Sequence, residues 1–308
     1  MLDTIWDRHR AAGLDAAAAA VAAPSPEDLC YLAMLAFSDE RYADAAAFAA
    51  RAGSPGDILF HAAAEHLARV AREGKRNVYV SAEGFAAFIR GGGNVPLYRE
   101  TSAALASEYP EAPFDLLDIG AGDGMALLPA LTPAVRRVTV VEPAAPLLER
   151  CAAALSGRGV DVEAFGGRLQ DLAADPDMAP RRWSVAQATF CLHAIAPAER
   201  PALLRWARAP EFDAPRMDEP LSPDTARHVL ERYREGLLEY AGAERDTVAQ
   251  GFLMPVLFGY VDRGATRTTF EHPIDDWAAL LREAGFARVD RRLLHRYWWA
   301  PAFLLSAR

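Results

Sequence analysis

The chain has 308 residues, 52% of them hydrophobic, with a formal net charge of −9. That is room for one large α/β domain plus a smaller one, and it argues against wholesale disorder. No block of Lys and Arg supplies the clustered positive charge that a phosphate backbone needs, so nucleic acid is not an expected partner. Three scattered cysteines, Cys30, Cys151 and Cys191, lack CxxC spacing, which points to a reducing compartment and away from disulfides and a zinc site. The opening MLDTIWDRHR has no apolar core of a signal peptide, and the apolar run 16–23 is too short to span a bilayer. A cytoplasmic protein with no membrane partner and no metal is the expectation.

Residues 1–75 read as helix after helix. Ser25-Pro26-Glu27-Asp28 combines an N-cap serine, a first-turn proline and first-turn acids, and predicts a helix start there. Further helices are predicted over 39–51, ending at Gly53, and over 57–73, ending at Gly74. Residues 77–105 carry Tyr79, Phe85, Phe88 and Tyr98 around the triplet Gly91-Gly92-Gly93, where the backbone is either flexible or closely approached. The segment reads equally as a connector with buried aromatics or as a lid over a ligand.

From residue 114 the pattern changes to strand, turn and helix. Strands are predicted at 114–119, 138–141, 160–165 and 184–192, with helices at 125–131, 145–155 and 198–208 between and after them. A helical insertion over about 214–262 contains the helix 223–242 and the apolar run GFLMPVLFGY. It is followed by a helix at 274–284 and a closing hairpin from 286–297 and 301–307. Such alternation gives a mostly parallel sheet with crossover helices. The expected fold class is α/β: a Rossmann-like, mostly parallel sheet with a C-terminal antiparallel hairpin over 106–308, plus an all-helical module over 1–105.

The chemistry is concentrated at LLDIGAGDG, residues 116–124. A strand ends in a glycine turn that opens a helix, so backbone can approach a ligand where a side chain would collide. Asp118 and Asp123 would repel a pyrophosphate but not a cationic sulfonium with an amino-acid tail. These residues resemble motif I of the class I S-adenosylmethionine (SAM)-dependent methyltransferases. The resemblance covers about 112–205 well and 270–308 moderately, and says little about 1–105.

The resemblance implies SAM as cofactor, with Asp118, Gly120, Ala121, Gly122 and Gly124 forming the turn that holds it. Glu142, at the end of VTVVEP, falls where the family places the acid that accepts both ribose hydroxyls; the alternative is a solvent-facing acid. Gln170 and Asp171 fall where an acid or amide meets the adenine amino group, or else form a surface turn. Phe190 and Thr189 border the transferable methyl, and His193 reads as a general base or as a capping or core histidine. From the lid reading, Tyr79 and Tyr98 are the aromatics expected at the cofactor. Cys191 reads as a buried strand residue. One departure stands out: after the helix at 198–208, Ala209-Pro210 runs straight into Glu211-Phe212-Asp213, so the fifth strand of the family is either very short or partly missing.

Methyl transfer to an O, N or C nucleophile of a small molecule is the leading reading. Two others stay open: cyclisation of SAM's own chain with release of methylthioadenosine, and SAM binding without turnover. Tyr297-Trp298-Trp299, at the hairpin turn, suits a homodimer face, the core or a ligand alike.

Overall fold

A computed structural model of the chain describes residues 1–54, 56–75, 81–204 and 209–308. In chain order the helices are α1 (Leu2–Ala19), α2 (Pro26–Ser38), α3 (Tyr42–Ala52), α4 (Ile58–Glu73), α5 (Ala82–Arg90) and α6 (Asn94–Glu108). Next come β1 (Phe114–Ile119), α7 (Leu127–Ala130), β2 (Val135–Val141), α8 (Ala145–Ser156), β3 (Asp161–Phe165), α9 (Leu169–Ala174), β4 (Val185–Ala188), α10 (Arg200–Leu203) and β5 (Ala209–Phe212). The chain ends with α11 (Pro223–Leu238), α12 (Gly242–Val248), α13 (Met254–Val261), α14 (Ile274–Glu283), β6 (Val289–Arg296) and β7 (Pro301–Ala307). Two compact units result: Met1–Asn94 with Met217–Arg267, and Val95–Arg216 with Thr268–Arg308.

The first unit is helical, and its boundaries follow local chemistry. At α2, Ser25 Oγ accepts the Asp28 N–H at 3.1 Å while Asp28 accepts the Ser25 N–H at 3.0 Å, a reciprocal cap. Asp57 caps α4 by accepting the N–H groups of Leu59 and Phe60. The apolar run GFLMPVLFGY is helical: a π-helical turn at Ala249–Leu253 leads into α13. Pro255 has no N–H to return to the preceding turn, and a π turn relieves that mismatch. The Gln250 carbonyl accepts instead from Arg69 at 3.1 Å. The triplet at 91–93 is a close approach. A Cβ on Gly91 would lie 2.8 Å from Tyr240 Cε1 and 2.9 Å from the Ala87 carbonyl oxygen. The Gly93 N–H donates to Glu239 at 2.8 Å, and the Tyr240 hydroxyl to the Phe88 carbonyl at 2.9 Å.

The second unit is the Rossmann-like part. Four parallel strands lie in the order β3-β2-β1-β4, and an antiparallel sheet follows in the order β5-β7-β6. The central strand β1 is buried on both faces, as parallel strands are. Leu117 and Ile119 pack with α9, α14 and Trp277, and Phe114 and Leu116 with Leu127, Leu148 and Cys151.

Several element boundaries differ from the sequence reading. The helix expected over 125–131 shrinks to Leu127–Ala130, because the glycine turn extends to Gly124 and Pro129 cannot donate to the carbonyl a turn earlier. The strand expected over 184–192 stops at Ala188; Phe190 takes φ +50° and a 3-10 turn follows at Leu192–Ala194. The helix expected over 198–208 is α10, with 205–208 outside the described residues. The fifth strand is present but four residues long, and Pro210 lacks a ladder N–H. It pairs antiparallel with β7, and the Phe190 N–H donates to the Pro210 carbonyl at 3.0 Å, tying β4's exit to β5. Among the described residues no helix is long and apolar enough to cross a membrane.

Candidate cofactor site

The parallel sheet delivers β1, β2 and β4 to one edge, and their C-terminal ends build the site, the usual place for a ligand in such sheets. At the end of β1, Gly120, Gly122 and Gly124 have φ of +65°, +56° and +88°, which side-chain-bearing residues rarely adopt. The Gly120 and Ala121 N–H groups donate to the Val141 carbonyl at 2.8 and 3.2 Å, locking the turn onto β2. A Cβ on Gly120 would lie 2.7 Å from Cys191, whereas one on Gly122 would meet nothing within 4 Å. Gly122 thus presents bare backbone to open space.

Two buried carboxyls lie close to the turn, one just past the end of β2 and one near the end of β1. Glu142, 8% exposed at the end of β2, accepts the Gly122 N–H at 3.0 Å and the Ala144 N–H at 2.9 Å. Each oxygen keeps a lone pair for a further donor. Asp118, 3% exposed, lies opposite Gln187 in the β1–β4 register and accepts from Gln187 Nε2 at 3.1 Å. Burial raises its pKa to about 7; the Gln187 hydrogen bond opposes the rise and the nearby Glu142 adds to it. Gln187 Oε1 in turn accepts the Tyr109 hydroxyl at 2.6 Å.

The exit from β4 supplies an aromatic wall. Phe190, held left-handed at φ +50°, stacks on Phe212 at 4.6 Å and meets Tyr98 edge-on at 6.0 Å. A bulky residue in that region marks strain that the surroundings must hold. Phe212 stacks on the buried Tyr297 at 5.5 Å. Burial, with Asp123 and Cys191 nearby, pushes the Tyr98 hydroxyl up to about 12, so it stays protonated. Burial likewise raises the Cys191 thiol, which donates to the Ile119 carbonyl at 3.1 Å. Thr189 Oγ1 is buried with no hydrogen-bond partner among the described residues.

His193, 28% exposed, sits on the 3-10 turn with Nδ1 3.6 Å from Glu211 Oε2. Glu211, 1% exposed on β5, also accepts the Leu192 N–H at 2.8 Å. Partial burial works against the charged imidazole, yet the Glu211 carboxylate, with Glu271 behind it, lifts the pKa above its usual value. The fully buried Arg200 seats this turn. It donates to the Ile195 carbonyl at 2.9 Å and the Phe270 carbonyl at 2.6 Å, with its guanidinium 4.3 Å over Trp277.

The remaining expected residues are placed as follows. Gln170, on α9, donates to Glu199 at 2.9 Å. Asp171 is exposed, accepts the Arg168 N–H at 2.8 Å as the return half of the α9 cap, and pairs with the Arg168 guanidinium, which lowers its pKa. Tyr79 lies outside the described residues. The segment 77–105 is divided, with 81–94 in the first unit and 95–105 in the second. Sequence reasoning did not single out Gln187, Tyr109, Glu211 or Arg200. The available signal for Gln187 was a lone polar residue inside an apolar strand, in register with Asp118. Among the described residues no cluster of His, Cys, Asp and Glu is arranged to hold a metal.

A cationic ligand carrying a diol fits the groups gathered here: backbone beside open space, two buried carboxyls and an aromatic wall. No family model matches the chain, and no curated protein matches it. Among solved structures it is similar to a 1,6-didemethyltoxoflavin N1-methyltransferase from Burkholderia thailandensis with bound S-adenosylhomocysteine (SAH), at 20% identity and TM-score 0.41, over 69% of this chain and 77% of that one. It is similar to mitomycin 7-O-methyltransferase at 18% identity and TM-score 0.44, over 94% and 75% of the two chains. It is also similar to the magnesium protoporphyrin IX methyltransferase of Synechocystis with bound SAM, at 14% identity and TM-score 0.45, over 75% and 93%.

Proposed function

We propose that the chain is a SAM-dependent methyltransferase acting on a small molecule. The observation that carries this reading is Gly122. Its left-handed backbone faces open space with the Glu142 carboxylate on one side and the buried Asp118 beneath the same turn. When bound there, SAM supplies a methyl made electrophilic by the positive sulfur. Glu142 would hold the ribose hydroxyls with its free lone pairs, and Asp118 would take the cationic end. Phe190 and Tyr98 would exclude water there, and an aromatic face beside the sulfonium would contribute roughly 0.5–2 kcal/mol. Gln170 and Asp171 would border the adenine, which would require Asp171 to loosen its pairing with Arg168 and Gln170 its bond to Glu199.

His193 is the residue for deprotonating an acceptor. Glu211 beside Nδ1 favours the tautomer with its proton there and leaves Nε2 as the base. The pKa above 6.5 means that a base-dependent rate climbs as pH rises through that higher value. The test is product analysis by mass spectrometry with SAM and candidate metabolites. SAH together with a methylated metabolite supports the proposal. Methylthioadenosine would instead indicate cyclisation, and intact SAM under all conditions would indicate a binding protein.

A further inference from the structure

The chain from half-buried Tyr109 through buried Gln187 to buried Asp118 is not needed to explain the fold. Gln187 is fully buried in β4 and Tyr109 follows α6, so neither contributes to the crevice lining directly. An apolar pair at these positions would serve a strand core well, because polar groups are costly to bury. The chain nonetheless places a carboxyl, an amide and a phenol in series, at 2.6 and 3.1 Å, beneath the glycine turn.

The direction of these bonds matters. The Tyr109 hydroxyl donates to Gln187 Oε1, which fixes the amide so that Nε2 points at Asp118 Oδ1. With that oxygen committed, Oδ2 is the acceptor left for a ligand. We infer that Tyr109 and Gln187 are positioning residues that orient the Asp118 carboxylate toward the ammonium of the cofactor's amino-acid tail. The inference rests on the SAM reading and adds to it the two residues that aim this carboxyl at the charged tail.

The electrostatics agree with the geometry. The ionisable groups around Asp118 are Glu142 from the end of β2, Cys151 from α8, Cys191 beyond β4 and Asp123 in the turn, with Tyr98 near Asp123. The nearby acids repel a second negative charge, and the thiols and phenol are neutral near pH 7 because burial raises each of them. Asp118 therefore carries a proton in the free protein below a pH of about 7. A cation brought alongside reverses the balance and favours the carboxylate.

The experiment is calorimetric titration of wild-type protein with SAH in buffers of different ionisation enthalpy, across the pH range around 7. Methylthioadenosine, which lacks the charged tail, serves as control ligand. The expected result is release approaching one proton per SAH at about pH 6, shrinking as pH rises, with none for methylthioadenosine. Tyr109→Phe keeps the ring packed on Phe114, at 5.3 Å, and removes only the hydroxyl. It and Gln187→Met should weaken SAH about tenfold near pH 7, the scale of one charge-assisted hydrogen bond, and leave methylthioadenosine unchanged. If Gln187→Met does not fold by thermal melting, Tyr109→Phe carries the test alone. Unchanged SAH affinity and proton release in Tyr109→Phe, or an equal loss for both ligands in the variants, overturns the inference while leaving the SAM reading standing. Failure of wild type to bind either SAM or SAH overturns both.

Discussion

The molecule has two glycine clusters that look alike in sequence and do opposite things. At 91–93 the missing side chains let Tyr240 and Glu239 approach the backbone, and the space is filled. At 120–124 the glycines hold left-handed backbone, and beside Gly122 the space is open. Each cluster has a carboxylate on a glycine N–H, Glu239 at Gly93 and Glu142 at Gly122. Among the described residues the second cluster also follows a strand that carries a buried acid, Asp118. Glycine therefore admits the protein's own side chains at 91–93 and at Gly120, whereas at Gly122 it leaves open backbone, the place proposed for a ligand.

Four substitutions sharpen or break that contrast. Gly120→Val should have the largest effect on folding, because its Cβ meets Cys191 at 2.7 Å from a φ of +65°. Left-handed strain and overpacking together cost about 2–5 kcal/mol, to be read from urea unfolding. Asp118→Asn should stabilise the protein by on the order of 4 kcal/mol above pH 7. The wild-type carboxyl, raised from 3.8 to about 7 by burial, must ionise in the folded state at that pH. The sign follows from proton binding: the folded protein holds the extra proton between those values, so wild-type stability falls as pH rises through them. The gap between the two proteins should close below a pH of about 4, and an equal gap at pH 4 and pH 8 would contradict the buried-acid account.

Gly91→Ala comes next. Its Cβ presses on Tyr240 and on the Ala87 carbonyl, for about 1–3 kcal/mol of stability, with SAH affinity unaltered. A loss of affinity there would mean that the filled cluster also serves the ligand. Gly122→Ala should cost only about 1 kcal/mol of stability, since its Cβ meets nothing, while weakening SAH by tenfold or more. Unchanged affinity in that variant would remove the contrast between the clusters.

Much of the fold was legible because the governing signals are local. The Ser25 and Asp57 caps, the run DLLDIG entering a glycine turn and the closing hairpin all depend on residues close in sequence. Elements were misjudged where a distant residue decides. The end of β4 depends on Phe190 stacking on Phe212, and the short β5 on pairing with β7 across most of the unit's length. The same holds for the site. The glycine turn and Glu142 could be read from spacing. The Gln187 contact with Asp118 depends on strand register, and the Glu211 contact with His193 on a sheet that sequence reasoning left incomplete. Asp171 shows the converse: a residue matching an expected motif position also fits a helix cap, and the structure displays the cap.

The most direct test of the central claim is calorimetric binding of SAH to wild type and to Glu142→Ala, with thermal melting of both. Glu142 uses two of its lone pairs on Gly122 and Ala144 and offers the others to a diol. The account predicts saturable one-to-one binding by wild type, unaffected by chelator. It predicts at least a tenfold loss in the variant while the thermal transition persists, the scale of losing one or two charge-assisted hydrogen bonds. Equal affinity in the two proteins would place the ribose elsewhere, and no binding of SAH or SAM by wild type would contradict the account outright.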